Sequence, residues 1–142
     1  MKKNIIFITI IILIIVVVLL GSRQGSNRTK PAPSSLPEIP RIVSTKPDPL
    51  DETIVSSTET IELTFSRPLE NVPEFKIRIE PKTDYRVELS GDRKTAKIIP
   101  VSPYELGTTY TLFIMADSKF EGGARLVREE VFHFRTIKYR GF

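Results

Sequence analysis

Few residues in this chain of 142 amino acids have side chains from which an enzyme builds a reactive site. The sequence contains a single histidine, His133, and no cysteine, which excludes Cys–His nucleophile pairs and His-x-x-x-His metal motifs. It also has neither a Gly-x-Ser-x-Gly elbow nor a glycine loop of the type that binds phosphates. We therefore expect a protein that is not an enzyme and that holds no cofactor.

Carboxylates are the remaining candidates for a metal site. Asp48, Asp51 and Glu52 share one turn and could offer oxygen ligands to a hard cation such as Ca²⁺, although we favour a role in capping that loop. Periplasmic copper-binding sandwiches use His and Met, and beyond residue 1 the chain has only Met115 and His133. Since His133 falls on the polar side of a predicted strand, it is interpreted as a solvated surface residue, and no metal site is predicted.

The elements that would position these residues are short strands. From residue 41 onward, apolar side chains alternate with polar ones between clusters of Pro, Gly, Asp and Ser, a pattern typical of half-buried strands. The pattern places seven strands at residues 41–44, 61–65, 75–80, 85–89, 95–99, 109–114 and 131–136, with residues 54–55 as a candidate for one further short piece. The chain has no room for the crossover helices that a parallel sheet needs. We predict an all-β fold, an antiparallel β-sandwich of about seven strands.

Residues 5–20 are apolar except for one threonine, and they follow a short basic start with two lysines. As a helix they would span roughly 24 Å, close to the roughly 30 Å hydrocarbon core of a bilayer. Leucine stands where the first small residue of a signal-peptidase site should be. We predict one uncleaved N-terminal transmembrane helix within residues 1–22, with a cleaved signal peptide as the alternative.

The orientation of this anchor follows mainly from the size of the C-terminal part. The two lysines favour a cytoplasmic N-terminus, but Arg23, Arg28 and Lys30 lie just beyond the other end and nearly balance them. A long domain crosses the membrane largely regardless of its charge. We therefore predict a single-pass protein of the cell membrane with a cytoplasmic N-terminus and an extracytoplasmic C-terminal domain.

Residues 23–40 are rich in Pro, Ser and Gly and are predicted to form an extended linker, followed by the sandwich at 41–138 and a tail at 139–142. The net charge of +4 does not indicate nucleic-acid binding. Residues 1–40 carry five Lys or Arg against one Glu, whereas the sandwich carries fifteen against sixteen Asp or Glu. The excess lies where it can meet anionic lipid headgroups. We predict the lipid bilayer as a partner through residues 5–20, and no nucleic acid.

The stretch Leu106-Gly107-Thr108-Thr109-Tyr110 predicts a structural corner. A glycine lets the chain turn, and a tyrosine follows at the start of the next strand. In a tyrosine corner the ring enters the core and the hydroxyl bonds to the backbone a few residues upstream. We predict that Gly107 and Tyr110 form such a corner.

The chain also resembles the bacterial Ig-like domains of the S-layer (SbsA-type) family. The likeness covers about 95 residues and is carried by four stretches: Pro47-Asp48-Pro49, residues 61–69, residues 98–110 and residues 132–136. These motifs mark corners and strand ends. The resemblance implies an immunoglobulin-like sandwich outside the cytoplasm, often a spacer or an interaction domain in surface proteins.

Two functions follow as hypotheses. The first is a non-enzymatic, membrane-tethered extracytoplasmic module that acts as a structural or protein-interaction domain at the cell surface, with a protein or the cell wall as an unidentified partner. The alternative is an extracytoplasmic ligand- or metal-binding sandwich that serves transport or sensing. Strand alternation leaves Phe113 and Ile99 on outer faces, which makes them candidate interaction residues, although isolated apolar surface residues are also common.

Overall fold

The structure is a computed structural model that describes residues 38–139. The predicted anchor, most of the predicted linker and the last three residues of the predicted tail lie outside the described residues. Within residues 38–139, no helix is long and apolar enough to cross a membrane. This part of the chain forms one turn of 3₁₀ helix, Glu121–Gly123, and eight strands: β1 Ile42–Lys46, β2 Thr53–Val55, β3 Ile61–Phe65, β4 Ile77–Glu80, β5 Tyr85–Leu89, β6 Thr95–Pro100, β7 Thr109–Ile114 and β8 Glu130–Thr136.

The eight strands form two four-stranded sheets that enclose the core. One sheet has the order β1-β3-β6-β5 and the other has the order β2-β8-β7-β4. The prediction of an all-β sandwich is therefore confirmed, with eight strands rather than about seven. All neighbouring strands are antiparallel except β2 and β8, which run parallel. The expectation of purely antiparallel sheets was wrong for this one pair.

The parallel pair involves β2, which follows β1 in the chain but belongs to the other sheet. Between them, Pro47 and Pro49 lack the N–H that a strand ladder needs, so β1 ends there. The side chain of Leu50 then enters the core with 1% of its surface exposed. The N–H of Glu52 donates to the carbonyl of His133 at 2.6 Å, which brings the chain beside β8. The chain thus passes from one sheet to the other between β1 and β2. The parallel pairing of β2 with β8 is reached without a crossover helix.

The core lies between the sheets and takes one side of each long strand. In β3, Ile61, Leu63 and Phe65 are buried, and in β7, Leu112 and Ile114 are fully buried. Residues outside the strands complete the core: Leu50, Leu69, Phe75, Tyr104, Phe120 and Leu126. Because the loops contribute these large side chains, they are fixed to the sheets rather than free of them.

β4 begins two residues later than the alternation pattern predicts. Phe75 is buried, but its N–H donates to the carbonyl of Val72 at 3.1 Å within a turn. The N–H of Lys76 donates to the side-chain oxygen of Ser118 at 3.0 Å instead of joining a ladder. Regular pairing with β7 starts only at Ile77. Phe75 is therefore buried as the alternation pattern predicts, although its backbone does not belong to the strand.

Candidate functional site

Tyr110 is buried at the start of β7, and its hydroxyl accepts a hydrogen bond from the backbone N–H of Glu105 at 2.9 Å. The donor lies five residues upstream, which is the geometry that a tyrosine corner requires. The ring stacks on Phe134 of β8, with ring centroids 5.6 Å apart. Through Tyr110, the loop between β6 and β7 is thus joined to β7 and β8. The contribution of Tyr110 to stability stays a prediction.

Gly107 provides the turn that precedes this corner. Its φ of 70° lies in the left-handed region, where a side chain causes strain. A Cβ atom at this position would lie 3.5 Å from the side chain of Lys138, which is ordinary contact. Glycine is therefore needed here for its backbone conformation rather than for space. Its N–H donates to the carbonyl of Ile137 at 3.1 Å, which holds the loop to the end of β8.

Tyr104 belongs to the same aromatic cluster, although no pattern in the sequence distinguishes it from an exposed loop residue. Its ring centroid lies 5.0 Å from that of Tyr110 and 5.4 Å from that of Phe134. The residue is 2% exposed, and within residues 38–139 its hydroxyl has no hydrogen-bond partner. Burial raises the pKa of Tyr104 to about 12, and the proximity of Tyr110 and Glu59 adds to the rise. The hydroxyl is therefore neutral at physiological pH, and its surroundings are those of a core residue.

Phe113 lies on the outer face of the β2-β8-β7-β4 sheet, where it is half-buried. Its cross-strand neighbours are Arg78 on β4 and Val131 on β8. The guanidinium carbon of Arg78 lies 4.1 Å from the centre of the Phe113 ring, and Arg78 also forms an ion pair with Glu80. We call Arg78, Phe113 and Val131 the Phe113 patch. It combines an aromatic ring, an aliphatic side chain and a cation on an exposed sheet.

Ile99 does not belong to this patch. It lies on β6, opposite Arg86 of β5, on the outer face of the β1-β3-β6-β5 sheet. The two sheets face each other through the core, so the outer faces that carry Ile99 and Phe113 point in opposite directions. The structure therefore does not bring the two predicted contact residues together, and each belongs to a separate surface.

The loop with the clustered carboxylates is tied to β8 by its own hydrogen bonds. The carboxylate of Asp51 accepts a hydrogen bond from the backbone N–H of His133 at 2.7 Å. The same oxygen lies 3.4 Å from the imidazole Nδ1 of His133. In the part of the chain that the structure describes, no group of three or more His, Asp or Glu is arranged to hold a metal ion. The arrangement supports a loop cap, with Asp51 as its acceptor.

A family model described as a bacterial Ig-like domain matches residues 37–136. This match spans every strand of both sheets. A comparison with curated proteins found no match. The family match therefore describes the sandwich and does not extend to the N-terminal segment.

Solved structures share the fold at low sequence identity. PcoC, a methionine-rich copper resistance protein from Escherichia coli, is 21% identical with a TM-score of 0.52 over 69% of this chain and 98% of that chain. Surface layer protein SbsC, domains 1–6, is 18% identical with a TM-score of 0.47 over 72% of this chain and 14% of that chain. An L,D-transpeptidase from Mycobacterium tuberculosis H37Rv is 16% identical with a TM-score of 0.47 over 68% of this chain. This chain spans 39% of that transpeptidase. At these identities the likenesses concern the fold alone.

Proposed function

Because this chain belongs to the bacterial Ig-like domain family, we propose that it is a non-enzymatic module, tethered to the cell membrane and exposed outside the cytoplasm. In this proposal the module acts as a structural or protein-interaction domain at the cell surface. Its motifs mark corners and strand ends, and the family assignment concerns a sandwich fold. A fold of this kind serves many functions, so the argument for a particular one has to come from surface residues.

The tether is supported by the sequence of the N-terminal part. Residues 5–20 form an apolar run close to the length of an anchor, and residues 23–40 have the composition of a spacer. In the proposed orientation, Lys2 and Lys3 lie at the cytoplasmic leaflet, which is anionic. Under the proposal, the sandwich begins at the outer end of this spacer.

The Phe113 patch is the observation that carries the interaction role. Aromatic residues, including Phe, and Arg are enriched at protein–protein interfaces relative to the rest of the protein surface. Phe113 and Arg78 lie in contact on an exposed sheet face, with Val131, 39% exposed, beside them. The ring is already held in place by the guanidinium, so little side-chain entropy is lost when a partner covers it.

The alternative of a ligand- or metal-binding sandwich has less support. PcoC shares the fold and is described as methionine-rich, whereas this chain contains two Met and one His. Soft copper sites depend on such ligands. A ligand-binding role would give a saturable rise in melting temperature when the ligand or ion is added. Titration of the full chain with Cu²⁺, Ca²⁺ and Zn²⁺ tests this directly, and the interaction proposal predicts no such rise.

The interaction role is tested by site-specific crosslinking in intact cells. A photo-activated side chain at Thr111, next to Phe113, should yield a defined crosslinked product, whereas one at Val43, which is 59% exposed on strand β1 of the opposite sheet, should not. Phe113→Ser should abolish the product without a large change in melting temperature. Equal products from both positions, or products that persist in Phe113→Ser, would contradict the proposal. A large loss of stability in Phe113→Ser would assign the residue to the core instead.

A further inference from the structure

One side of the sandwich, between the edge strands β4 and β5, is incompletely closed. Ile77, Tyr85, Val87 and Leu89 pack against the core there but remain half-buried. A groove of about 480 Å³ lies beside Ile77 and Tyr85, lined by residues of β4, the start of β5 and their connection. The hydroxyl of Tyr85 donates to the carbonyl of Ile77 at 3.0 Å and joins the two sheets across this side.

The backbone of β5 presents a free edge on this side. The N–H of Val101 donates to the carbonyl of Asp84, and the N–H of Ser90 donates to the carbonyl of Thr95. These bonds fix which residues of β5 face β6, because bonded and non-bonded pairs alternate along an antiparallel ladder. Even-numbered residues direct their backbone groups to β6. The N–H and carbonyl groups of Tyr85, Val87 and Leu89 therefore point outward.

The sequence of β5, Tyr-Arg-Val-Glu-Leu, is complementary to itself in the antiparallel direction. When two copies pair about a two-fold axis at Val87, Tyr85 lies opposite Leu89 of the other copy and Val87 lies opposite Val87. These are the residues whose backbone groups are free, and each such pair exchanges two N–H···O bonds. On the outer face, Arg86 lies opposite Glu88 of the other copy, and both side chains are exposed. Opposite charges at such positions stabilise a strand pair.

We propose that β5 is a self-association edge, and that its partner is the β5 strand of a second copy of this chain. The two β1-β3-β6-β5 sheets then join into one continuous antiparallel sheet. The interface is isologous, as a two-fold dimer requires. This inference goes beyond the proposed function and does not depend on where the chain is anchored.

The other edge strands fit a second copy less well. The backbone groups of β4 that point away from β7 belong to Ile77 and Ile79, since the N–H of Met115 donates to the carbonyl of Lys76. Pairing two β4 strands about Ile79 would place Arg78 opposite Glu80, but it would also place Ile77 opposite Pro81, which has no N–H to donate. The carbonyl of Ile77 is also already occupied by the hydroxyl of Tyr85. β1 has an irregular register between Ile42 and Ser44, and β2 has only three residues. Within residues 38–139, β5 is the regular edge whose charges and backbone groups both fit a second copy.

Disulfide trapping tests the two-fold axis, because the native chain contains no cysteine. In the full chain in membranes under mild oxidation, Val87→Cys should form a covalent dimer, since a bonded antiparallel pair holds its Cα atoms within disulfide range. Ile54→Cys, on the exposed edge strand β2, is the matched control and should stay monomeric. A dimer yield from Val87→Cys no greater than that from Ile54→Cys would overturn the proposal.

Charge reversal tests the pairing independently. In the Val87→Cys background, Arg86→Glu and Glu88→Arg should each reduce the covalent dimer to the control level, because each places like charges opposite each other. The double variant should restore the dimer, and mixing the two single variants should give a mixed dimer. Lys46→Glu, on the exposed edge strand β1 of the same sheet, should leave the yield unchanged. Dimers that are insensitive to both single reversals, or that are not restored in the double variant, would contradict β5 pairing.

Discussion

The rings of Tyr104 and Tyr110 lie 5.0 Å apart in one buried cluster, yet within residues 38–139 only the hydroxyl of Tyr110 has a hydrogen-bond partner. The Tyr110 hydroxyl accepts the N–H of Glu105, whereas the Tyr104 hydroxyl is buried without a partner among the described residues. Removal of the hydroxyl group from each tyrosine in turn should therefore change the stability of the domain by different amounts.

Replacing Tyr110 with Phe should lower the free energy of unfolding by about 1–3 kcal/mol, because the N–H of Glu105 loses its acceptor. Replacing Tyr104 with Phe removes a hydroxyl that makes no bond, and the result should be neutral or stabilising. Denaturant unfolding of both variants measures the difference. Equal effects in the two variants would show that the corner bond contributes no stability of its own.

The stability of the domain should fall as the pH rises above the ordinary pKa of tyrosine. Burial raises the pKa of Tyr104 from 10.0 to about 12 in the folded protein. The unfolded chain therefore loses this proton first, and the stabilisation by the neutral form is lost progressively between these two values. The slope of unfolding free energy against pH in this window should be shallower in Tyr104→Phe than in the parent. An unchanged slope would mean that Tyr104 ionises freely in the folded state.

Phe134 should be among the residues most sensitive to truncation. It is 1% exposed and packs against both Tyr104 and Tyr110. Phe134→Ala should cost about 3–5 kcal/mol through the cavity that it leaves. Phe132 lies on the same strand but is half-buried, so Phe132→Ala is the control and should cost clearly less. A similar loss in both variants would indicate that the side chain of Phe132 is packed as tightly as that of Phe134.

The contact between Arg78 and Phe113 should be measurable as a coupling energy. A cation over an aromatic ring at an exposed site contributes about 0.5–1 kcal/mol. A double-mutant cycle with Arg78→Gln and Phe113→Leu isolates this term, because the ion pair of Arg78 with Glu80 is lost equally with and without the ring. Strictly additive effects would mean that the stacked geometry does not persist in solution.

The alternation of apolar and polar residues was sufficient to predict most of the strands and the face of each strand that points to the core. In β3 the apolar residues Ile61, Leu63 and Phe65 alternate with polar ones, and all three are buried, because side chains on a strand point to the same face every two residues. The buried loop residues Tyr104 and Phe120 could not be found in this way. A loop has no periodicity, so nothing in its sequence distinguishes a buried aromatic residue from an exposed one.

The surfaces were harder to predict because they depend on which strands become neighbours. Alternation placed Phe113 and Ile99 on outer faces, but only the strand order assigns them to different sheets. The position of Arg78 over Phe113 depends on the register between β4 and β7, which the sequence does not encode locally. The parallel pairing of β2 with β8 was not predicted for the same reason, since it joins segments that lie far apart in the chain.

The most direct test of a tethered, extracytoplasmic module is labelling of single cysteines in intact cells, since the native chain has none. Ser102→Cys lies on an exposed loop of the sandwich, and Lys3→Cys precedes the apolar run. A membrane-impermeant maleimide should label Ser102→Cys in intact cells and Lys3→Cys only after lysis, and both variants should remain in the washed membrane fraction. Labelling of Ser102→Cys only after lysis, or release of a mature protein that begins near Ser22, would contradict this topology.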